Sequence, residues 1–477
     1  MRLKNIFTIA TTILFLNANA QNRSNYIKKE NLNKDFDFLV SAITETHPDP
    51  YSVISKNEFD SKVAKIKANF KDSLTLKEYY RMIAPLVASL KDGHTSLKFP
   101  GRKLYNETDN LFPFIIKSSL EKPFLSVTEN LNSDYSQIPV GAEILKINDI
   151  PAEKIIQKII ENTSGESNDY RLKMGADFYF FGFVFGAFYD LKDIALVEYI
   201  FENKIYKKSI PTVTLSNLME IIKKKQSQSS NQPQNVAIQD FSLILKPEIK
   251  TAILDIRYFN DETKFQYFLS QSFKKIKIQK INKIVIDVRE NGGGNSTLGD
   301  ELLKYITSKP FKQFDNTTIK CSQLQKDYYK DYCETDTLKN CDTYNYIKTK
   351  KNGEMETFPI EKLTEPYPKS ERFDGKVYLL TSVRTFSSAS SFTQAFKHYK
   401  IGKIVGQETG GWIVSYGDKI MSELPITKIP LSISTKKFYT VGATDEDLHG
   451  VKPDIEMKAE NALDFIKKKI NKRHIIE

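Results

Sequence analysis

The sequence has 477 residues, of which 40% are hydrophobic and 27% charged, and its formal net charge is +11. This length predicts two or three domains, and the composition is that of a globular protein. Acidic residues are interspersed with the lysines, and no basic stripe with interleaved aromatic residues is present, so we expect no nucleic-acid partner. The five histidines are scattered and the three cysteines lack zinc-ligand spacing, so we expect neither a metal nor an organic cofactor.

The first twenty residues, 1–20, have the pattern of a secretory signal peptide. Arg2 and Lys4 give a basic start, a short apolar stretch follows, and "ANA" ends at Ala20. The apolar stretch is shorter than the roughly twenty residues that span a bilayer, so we expect cleavage and no stable membrane insertion. The product would be exported to the periplasm or the cell exterior, where two of the three cysteines could pair.

Residues 21–105 are predicted to form an N-terminal helical region. Apolar residues recur at helical spacing over 36–43 and 59–70. A third helix opens with a capping box, in which Thr75 is followed three residues later by Glu78. This helix is expected to stop near "KDGHTSL", which places His94 on a turn.

Residues 106–215 are predicted to be rich in strands. The stretch "IPVGAEILKINDIPAEKIIQKII" reads as turn, strand, turn and helix, and it resembles the corresponding segment of PDZ domains. An ordinary β-turn-β-α unit is the alternative. The apolar run "FYFFGFVFGAFY" is too short to span a membrane and is interpreted as part of the hydrophobic core. Residues 216–240, polar and without apolar periodicity at their centre, are interpreted as a linker.

Strand and helix patterns alternate over residues 241–460. The predicted strands are "TAILDIRYF", "KIVIDVR", "KVYLLTS" and "GKIVGQ", and helices are expected at 265–275, 297–307 and 388–397. This alternation predicts an α/β fold with a parallel or mixed sheet and helices packed on it. A polar insertion, 311–370, holds all the cysteines, and 461–477 is expected to be a C-terminal helix.

The stretch "RTFSSASSF" places four serines between a predicted strand and a predicted helix. A serine nucleophile needs a base, a group that orients the base, and donors for the developing oxyanion. Ser388 fits best, because the small Ala389 follows it and the first helical turn has free N–H groups. A serine cluster that only caps the helix is the alternative.

Two other stretches could serve such a serine. In "IVIDVRENGGGN", Gly292 to Gly294 follow a buried strand, and their bare N–H groups could stabilise an oxyanion. The run lacks the Gly-Lys-Ser/Thr of a P-loop and the Gly-x-Gly-x-x-Gly of dinucleotide sites, so nucleotide binding is disfavoured. His94 is the candidate base, although a lone histidine can also be structural.

The motifs "DGHT", "IDVRENGGG", "TFSSASSF", "GKIVGQETGG" and "LHGVKPDI" occur in this order. In kind and order they resemble the tail-specific, or carboxyl-terminal processing, serine peptidases, over most of the chain. The resemblance implies a crotonase/ClpP-like ββα spiral protease core, with an N-terminal helical domain and a PDZ-like β-rich domain. By the resemblance, the oxyanion donors would be the N–H of Ala389 and one from Gly292 or Gly293.

Within this family the base differs between branches. Many members use a Ser-Lys dyad, but Trp412 stands about where that lysine would be. The sequence is closer to the tricorn-core-like branch, which implies Ser388 as nucleophile, His94 as base and Asp447 as the orienting acid. Glu446 is the alternative acid. The chain departs from that branch by having an aspartate instead of a glutamate, and by Gly93 where a serine precedes the histidine.

We therefore expect an exported serine endopeptidase that forms an acyl-enzyme and cleaves peptide or protein substrates, in unfolded or C-terminal segments. One alternative is a catalytically inactive relative that binds peptides or other ligands. Another is a surface interaction protein that works through the insertion 311–370. The sequence leaves the natural substrate and the oligomeric state open.

Overall fold

The computed structural model describes residues 26–119, 124–131, 138–178, 181–230, 240–334 and 341–474. The expected signal peptide lies outside the described residues. The helices are α1 Lys29–Thr46, α2 Lys56–Ala68, α3 Leu76–Ala88, α4 Ala152–Asn162, α5 Asn168–Leu172, α6 Phe181–Phe188, α7 Leu215–Ser230, α8 Glu262–Ile278, α9 Ser296–Ile306, α10 Gln323–Glu334, α11 Asp342–Ile347, α12 Ser388–His398 and α13 Ala459–His474.

The strands are β1 Ile27–Lys28, β2 Ser73–Leu74, β3 Ser96–Leu97, β4 Asn110–Leu111, β5 Phe114–Ser119, β6 Phe124–Asn130, β7 Glu143–Ile147, β8 Ile150–Pro151, β9 Ile194–Phe201, β10 Lys204–Pro211, β11 Val213–Thr214, β12 Phe241–Lys246, β13 Thr251–Ile256, β14 Lys283–Asp287, β15 Phe314–Lys320, β16 Met355–Pro359, β17 Lys376–Thr381, β18 Lys403–Gly406, β19 Val414–Gly417, β20 Ile420–Glu423, β21 Pro430–Ile433, β22 Lys436–Thr440 and β23 Ile455–Glu456.

The chain divides into two compact units. The first contains Met1–Asn235 and Ile420–Ile433, and the second contains Val236–Lys419 and Ser434–Glu477. The first break falls inside the segment interpreted as a linker. The linker interpretation is wrong for residues 216–230, which belong to α7, because Leu215, Leu218 and Ile222 give that helix a buried apolar side.

The first unit combines helices with an antiparallel sheet of order β10-β9-β7-β6-β5. The predicted capping box is confirmed at the start of α3, where Thr75 and Glu78 bond reciprocally. Within the described part of the apolar run, residues 181–187 of α6 are buried, as expected for core. The comparison with a PDZ domain stays a prediction.

The second unit is built on a mixed sheet of order β12-β13-β14-β17-β18-β23, parallel except for the β12–β13 pair. Alternate side chains of its strands face α8, α9 and α12 on one side and α13 on the other. This confirms the predicted α/β class and its alternating strands and helices. The expected insertion contains β15, α10, α11 and β16, and its Cys333 is bonded to Cys341 while Cys321 is a buried thiol.

Candidate active site

Three loops of the second unit follow the carboxyl ends of neighbouring parallel strands. They are residues 288–295 after β14, 382–387 after β17 and 407–413 after β18. Parallel strands end at the same edge of a sheet, which is where α/β proteins build their sites. Backbone hydrogen bonds join the loops, from Phe386 N to Asn291 O (3.0 Å) and from Gly410 N to Thr385 O (2.9 Å).

Ser388 is the first residue of α12, as the sequence predicts. Ser387 before it has φ 55° and ψ −130°, a backbone conformation that non-glycine residues rarely adopt. Such strained positions cluster at functional sites, because only a demanding local arrangement retains them. The strain at Ser387 therefore marks the turn that carries Ser388 as a candidate functional site.

Three of the four serines differ in access. Ser390 and Ser391 are buried, and Ser390 Oγ donates to the carbonyl oxygen of Thr385 at 2.9 Å. Ser388 is half-buried, and its Oγ donates to the carbonyl oxygen of Gly294 at 2.5 Å. Of these three hydroxyls, that of Ser388 is best placed to meet a substrate.

The glycine run touches the serine loop directly. Gly293 has φ +104°, and a Cβ on it would lie 2.7 Å from Ser387 Cβ and 3.1 Å from Ser388 N. Gly293 is thus required both by its backbone conformation and by this close approach. The glycine run and the serine turn form one continuous structure.

The predicted oxyanion donors are not equivalent. Ala389 N–H donates to Phe386 O at 3.1 Å, and Gly293 N–H donates to Asn291 Oδ1 at 2.8 Å. Gly292 is exposed, and within the described residues neither its N–H nor that of Ser388 donates a hydrogen bond. The N–H of Ser388 is a donor that the sequence reasoning missed, although the first position of a helix always carries a free N–H.

Trp412 is the residue that the resemblance places about where a dyad lysine would be. Its side chain is mostly buried, and its backbone pairs with Gly450 in an antiparallel bridge. Gly450 N–H also donates to Glu408 Oε1 at 2.8 Å. These contacts fasten the segment around "LHGVKPDI" to the loop that follows β18.

Asp447 closes a turn in that segment. Its Oδ2 accepts from Thr444 N at 2.8 Å and from Thr444 Oγ1 at 3.0 Å, and Oδ1 lies 3.4 Å from His449 Nε2. The Thr444 N–H lowers the pKa of Asp447, and the neighbouring His449 adds to this effect. The backbone also closes this turn, with Asp447 N donating to Thr444 O at 3.1 Å. Glu446 is exposed.

His94 lies in the first unit, on the turn between α3 and β3. Its backbone N–H donates to Asp92 Oδ1 at 2.8 Å, and its carbonyl oxygen accepts from Ser432 Oγ at 2.7 Å. The ring Nδ1 lies 3.7 Å from Asp92 Oδ1. The pairing of β3 with β21 further holds this turn.

Asp92 and His47 support His94 and were missed by the sequence reasoning. Asp92 is fully buried, and its Oδ2 lies 3.2 Å from His47 Nε2. Since His47 Nδ1 accepts from Asp49 N, its Nε2 carries the proton and donates to Asp92. Burial alone would raise the pKa of Asp92, but hydrogen bonds with His47 and His94 hold it well below the usual range.

Glu166 is a further buried carboxyl group beside His94 and Asp92. Burial raises the pKa of Glu166 well above its usual range, and the negative charge of Asp92 adds to this shift. No local pattern in the sequence marks Glu166. Its proximity to His94 comes entirely from how the chain folds.

Comparisons with known proteins also indicate a serine peptidase. The model of peptidase family S41 matches residues 250–457. The solved structure of mature CPAF complexed with lactacystin is 14% identical, covers 93% of this chain and 97% of its own, and has a TM-score of 0.62. A crystal structure of mature CPAF is 13% identical, covers 93% and 96%, and has a TM-score of 0.60. No curated protein sequence matches the chain.

The match of residues 250–457 to the model of peptidase family S41 supports a serine-type peptidase and confirms the resemblance. The likeness to CPAF, at this low identity, shows a shared fold. None of the helices in the described part of the chain has the length and apolar character needed to cross a membrane.

Proposed function

We propose that the protein is an exported serine endopeptidase of the tricorn-core-like branch that acylates on Ser388. The observation that carries this proposal is the position of Ser388, whose accessible hydroxyl lies at the start of α12 against the glycine run. The match to the family S41 model supports it, because these residues lie in the matched segment.

In the proposed reaction, Ser388 Oγ attacks the scissile carbonyl carbon while its proton passes to His94. The N–H groups of Gly292 and Ser388 are candidates to stabilise the oxyanion, since they are not engaged elsewhere among the described residues. The proton then moves from His94 to the leaving amine, and an acyl-enzyme remains. Water, deprotonated by His94, cleaves the ester and returns the proton to Ser388.

Histidine is proposed as the base because Trp412 stands in place of the dyad lysine. The pairing of His94 with Ser388 is inferred from the resemblance. For the orienting acid, the resemblance selects Asp447, with Glu446 as the alternative. Asp92 is a third candidate, because it holds the His94 backbone and lies 3.7 Å from the ring.

The proposed substrates are unfolded or C-terminal segments of proteins. An extended segment could add a strand to a sheet edge, as PDZ domains do with their ligands. Export is proposed on the basic start, the apolar stretch and the small residues before position 21.

Labelling with a fluorophosphonate, followed by mass-spectrometric mapping, tests the proposal. We expect one label on Ser388, and none in the Ser388→Ala variant. The matched control is Ser390→Ala, which removes a buried hydroxyl from the same helix turn and should keep the label. A label on Ser387 or Ser390 would make the nucleophile assignment wrong, and no label on a folded wild-type protein would favour the inactive, ligand-binding relative.

A further inference from the structure

Asp92, His94 and Glu166 form a compact cluster in the first unit. One ligand atom from each, two carboxylate oxygens and an imidazole nitrogen, lies within 4.8 Å of the others. Asp92 and Glu166 are 0% and 4% exposed, whereas the side chain of His94 retains 13% exposure. The cluster is therefore almost completely buried, and solvent reaches it at the side chain of His94.

Glu166 supplies a second, independent observation. Neither of its carboxyl oxygens has a hydrogen-bond partner among the described residues. The backbone N–H groups of Glu166 itself and of Gly93 lie near enough to lower its pKa, but neither is in hydrogen-bond geometry. Arg171 does not pair with it either, since Arg171 Nε donates to Gly165 O at 2.7 Å and another guanidinium nitrogen donates to Ala88 O.

A buried carboxyl group without a partner is costly as an anion, so it holds a proton or it meets a cation. Glu166 lies beside Asp92, a second buried carboxylate, which raises the cost of leaving both ionised without a cation. A bound cation would give Glu166 a partner and would bind Asp92 as well, which already accepts hydrogen bonds from His47 and from the His94 backbone.

We propose that Asp92, His94 and Glu166 form a site for a divalent transition metal, with zinc as the best fit. Zinc takes mixed nitrogen and oxygen ligands at about 2.0–2.2 Å, which places tetrahedral ligand atoms about 3.4 Å apart. Asp92 Oδ1 and His94 Nδ1 are 3.7 Å apart, so they need to approach by only a few tenths of an ångström. Three protein ligands leave a fourth position for water.

His47 completes the arrangement as a supporting group. It donates to Asp92 Oδ2 and so leaves Oδ1 directed toward the cluster. Metal-binding carboxylates are commonly held by such hydrogen bonds, which fix their orientation. The scattered histidines and the cysteine spacing predicted no metal. The cluster has no local pattern that would change this, because Glu166 is distant along the chain and only Asp92 and His94, in "KDGHT", are near neighbours.

The site would also regulate the peptidase, a consequence that rests on the proposed function. When His94 Nδ1 binds a metal, the single proton of the neutral ring resides on Nε2. Nε2 then cannot accept the proton of Ser388, so zinc should inhibit acylation. Binding forms three coordination bonds, from Asp92, His94 and Glu166, with no redox change.

Zinc binding is tested directly on tag-free Ser388→Ala protein, by calorimetry and by competition with a chromophoric chelator. We expect one high-affinity Zn²⁺ per chain, and at least 30-fold weaker binding after Glu166→Gln, which retains the shape of the side chain. The matched control is His449→Ala, which removes a histidine lying 3.4 Å from a carboxylate on the more exposed Asp447 turn and should leave the affinity unchanged. Circular dichroism checks that each variant is folded.

Absence of stoichiometric zinc, or zinc binding that Glu166→Gln leaves unchanged in the folded variant, would overturn the proposal. Peptide hydrolysis by the protein with Ser388 intact separates the two inferences. If zinc binds as expected but does not inhibit an active enzyme, the metal site stands and the role of His94 as base is wrong. If the enzyme is active and binds no zinc, the proposed function stands and the metal site is wrong.

Discussion

Replacing Gly293 with alanine tests whether the glycine run positions the nucleophile. At φ +104° an alanine costs about 1–3 kcal/mol of backbone strain. Its Cβ would also lie 2.7 Å from Ser387 Cβ, whereas carbon atoms rest about 3.5–4.0 Å apart. Relief of that overlap requires a shift of roughly 1 Å at the residue that precedes Ser388.

A displacement of about 1 Å in a reacting group can cost on the order of 100-fold in rate. We therefore expect Gly293→Ala to lower kcat about 100-fold or more on a fluorogenic peptide. The free energy of unfolding, measured in urea, should fall by about 1–3 kcal/mol from the backbone strain, and relief of the overlap would add to that loss.

Gly353→Ala is the matched control, because Gly353 has φ +85° but no described residue beyond its two chain neighbours has an atom within 4 Å of the position that an alanine Cβ would take there. Gly353 lies in the insertion of the same unit, so an alanine there has a strained backbone but does not contact the serine turn. We expect a similar loss from strain and full activity. If both variants hydrolyse peptide at rates within about threefold of each other, the glycine run does not position Ser388.

Two further predictions concern carboxyl groups. Asp447→Asn should lower kcat by about two to four orders of magnitude if Asp447 orients the base, while the kcat of Glu446→Gln should stay within about fivefold of the wild type. If Asp447→Asn is active and a folded Asp92→Asn variant is inactive, the orienting carboxylate is Asp92, on the turn of His94. Burial raises the pKa of Asp300, although Gln313 Nε2 donates to it at 2.9 Å. The folded state thus holds this proton more tightly than the unfolded chain, and stability from this group falls as pH rises from about 3.9. Asp300→Asn should therefore lose less stability than the wild type between pH 4 and 7 in urea unfolding, and parallel pH profiles would contradict the assignment.

The sequence by itself determined the elements that depend on neighbours along the chain. The Thr75–Glu78 capping box predicted the start of α3, and alternating apolar segments predicted the sheet of the second unit. The start of α12 at Ser388 also followed from a strand, a turn and a small residue in succession. Capping and periodicity act within a few residues, so they can be read without knowing the fold.

Tertiary structure alone decided the environment of the site. Two features have no signature in their local sequence: the carboxyl group of Glu166, which lies beside Asp92 without a hydrogen-bond partner among the described residues, and the turn that engages Asp447. The same holds for the close approach of Gly293 to Ser387. Burial, desolvation and steric contact depend on which distant segments fold against a residue, and local patterns of polarity do not contain that information.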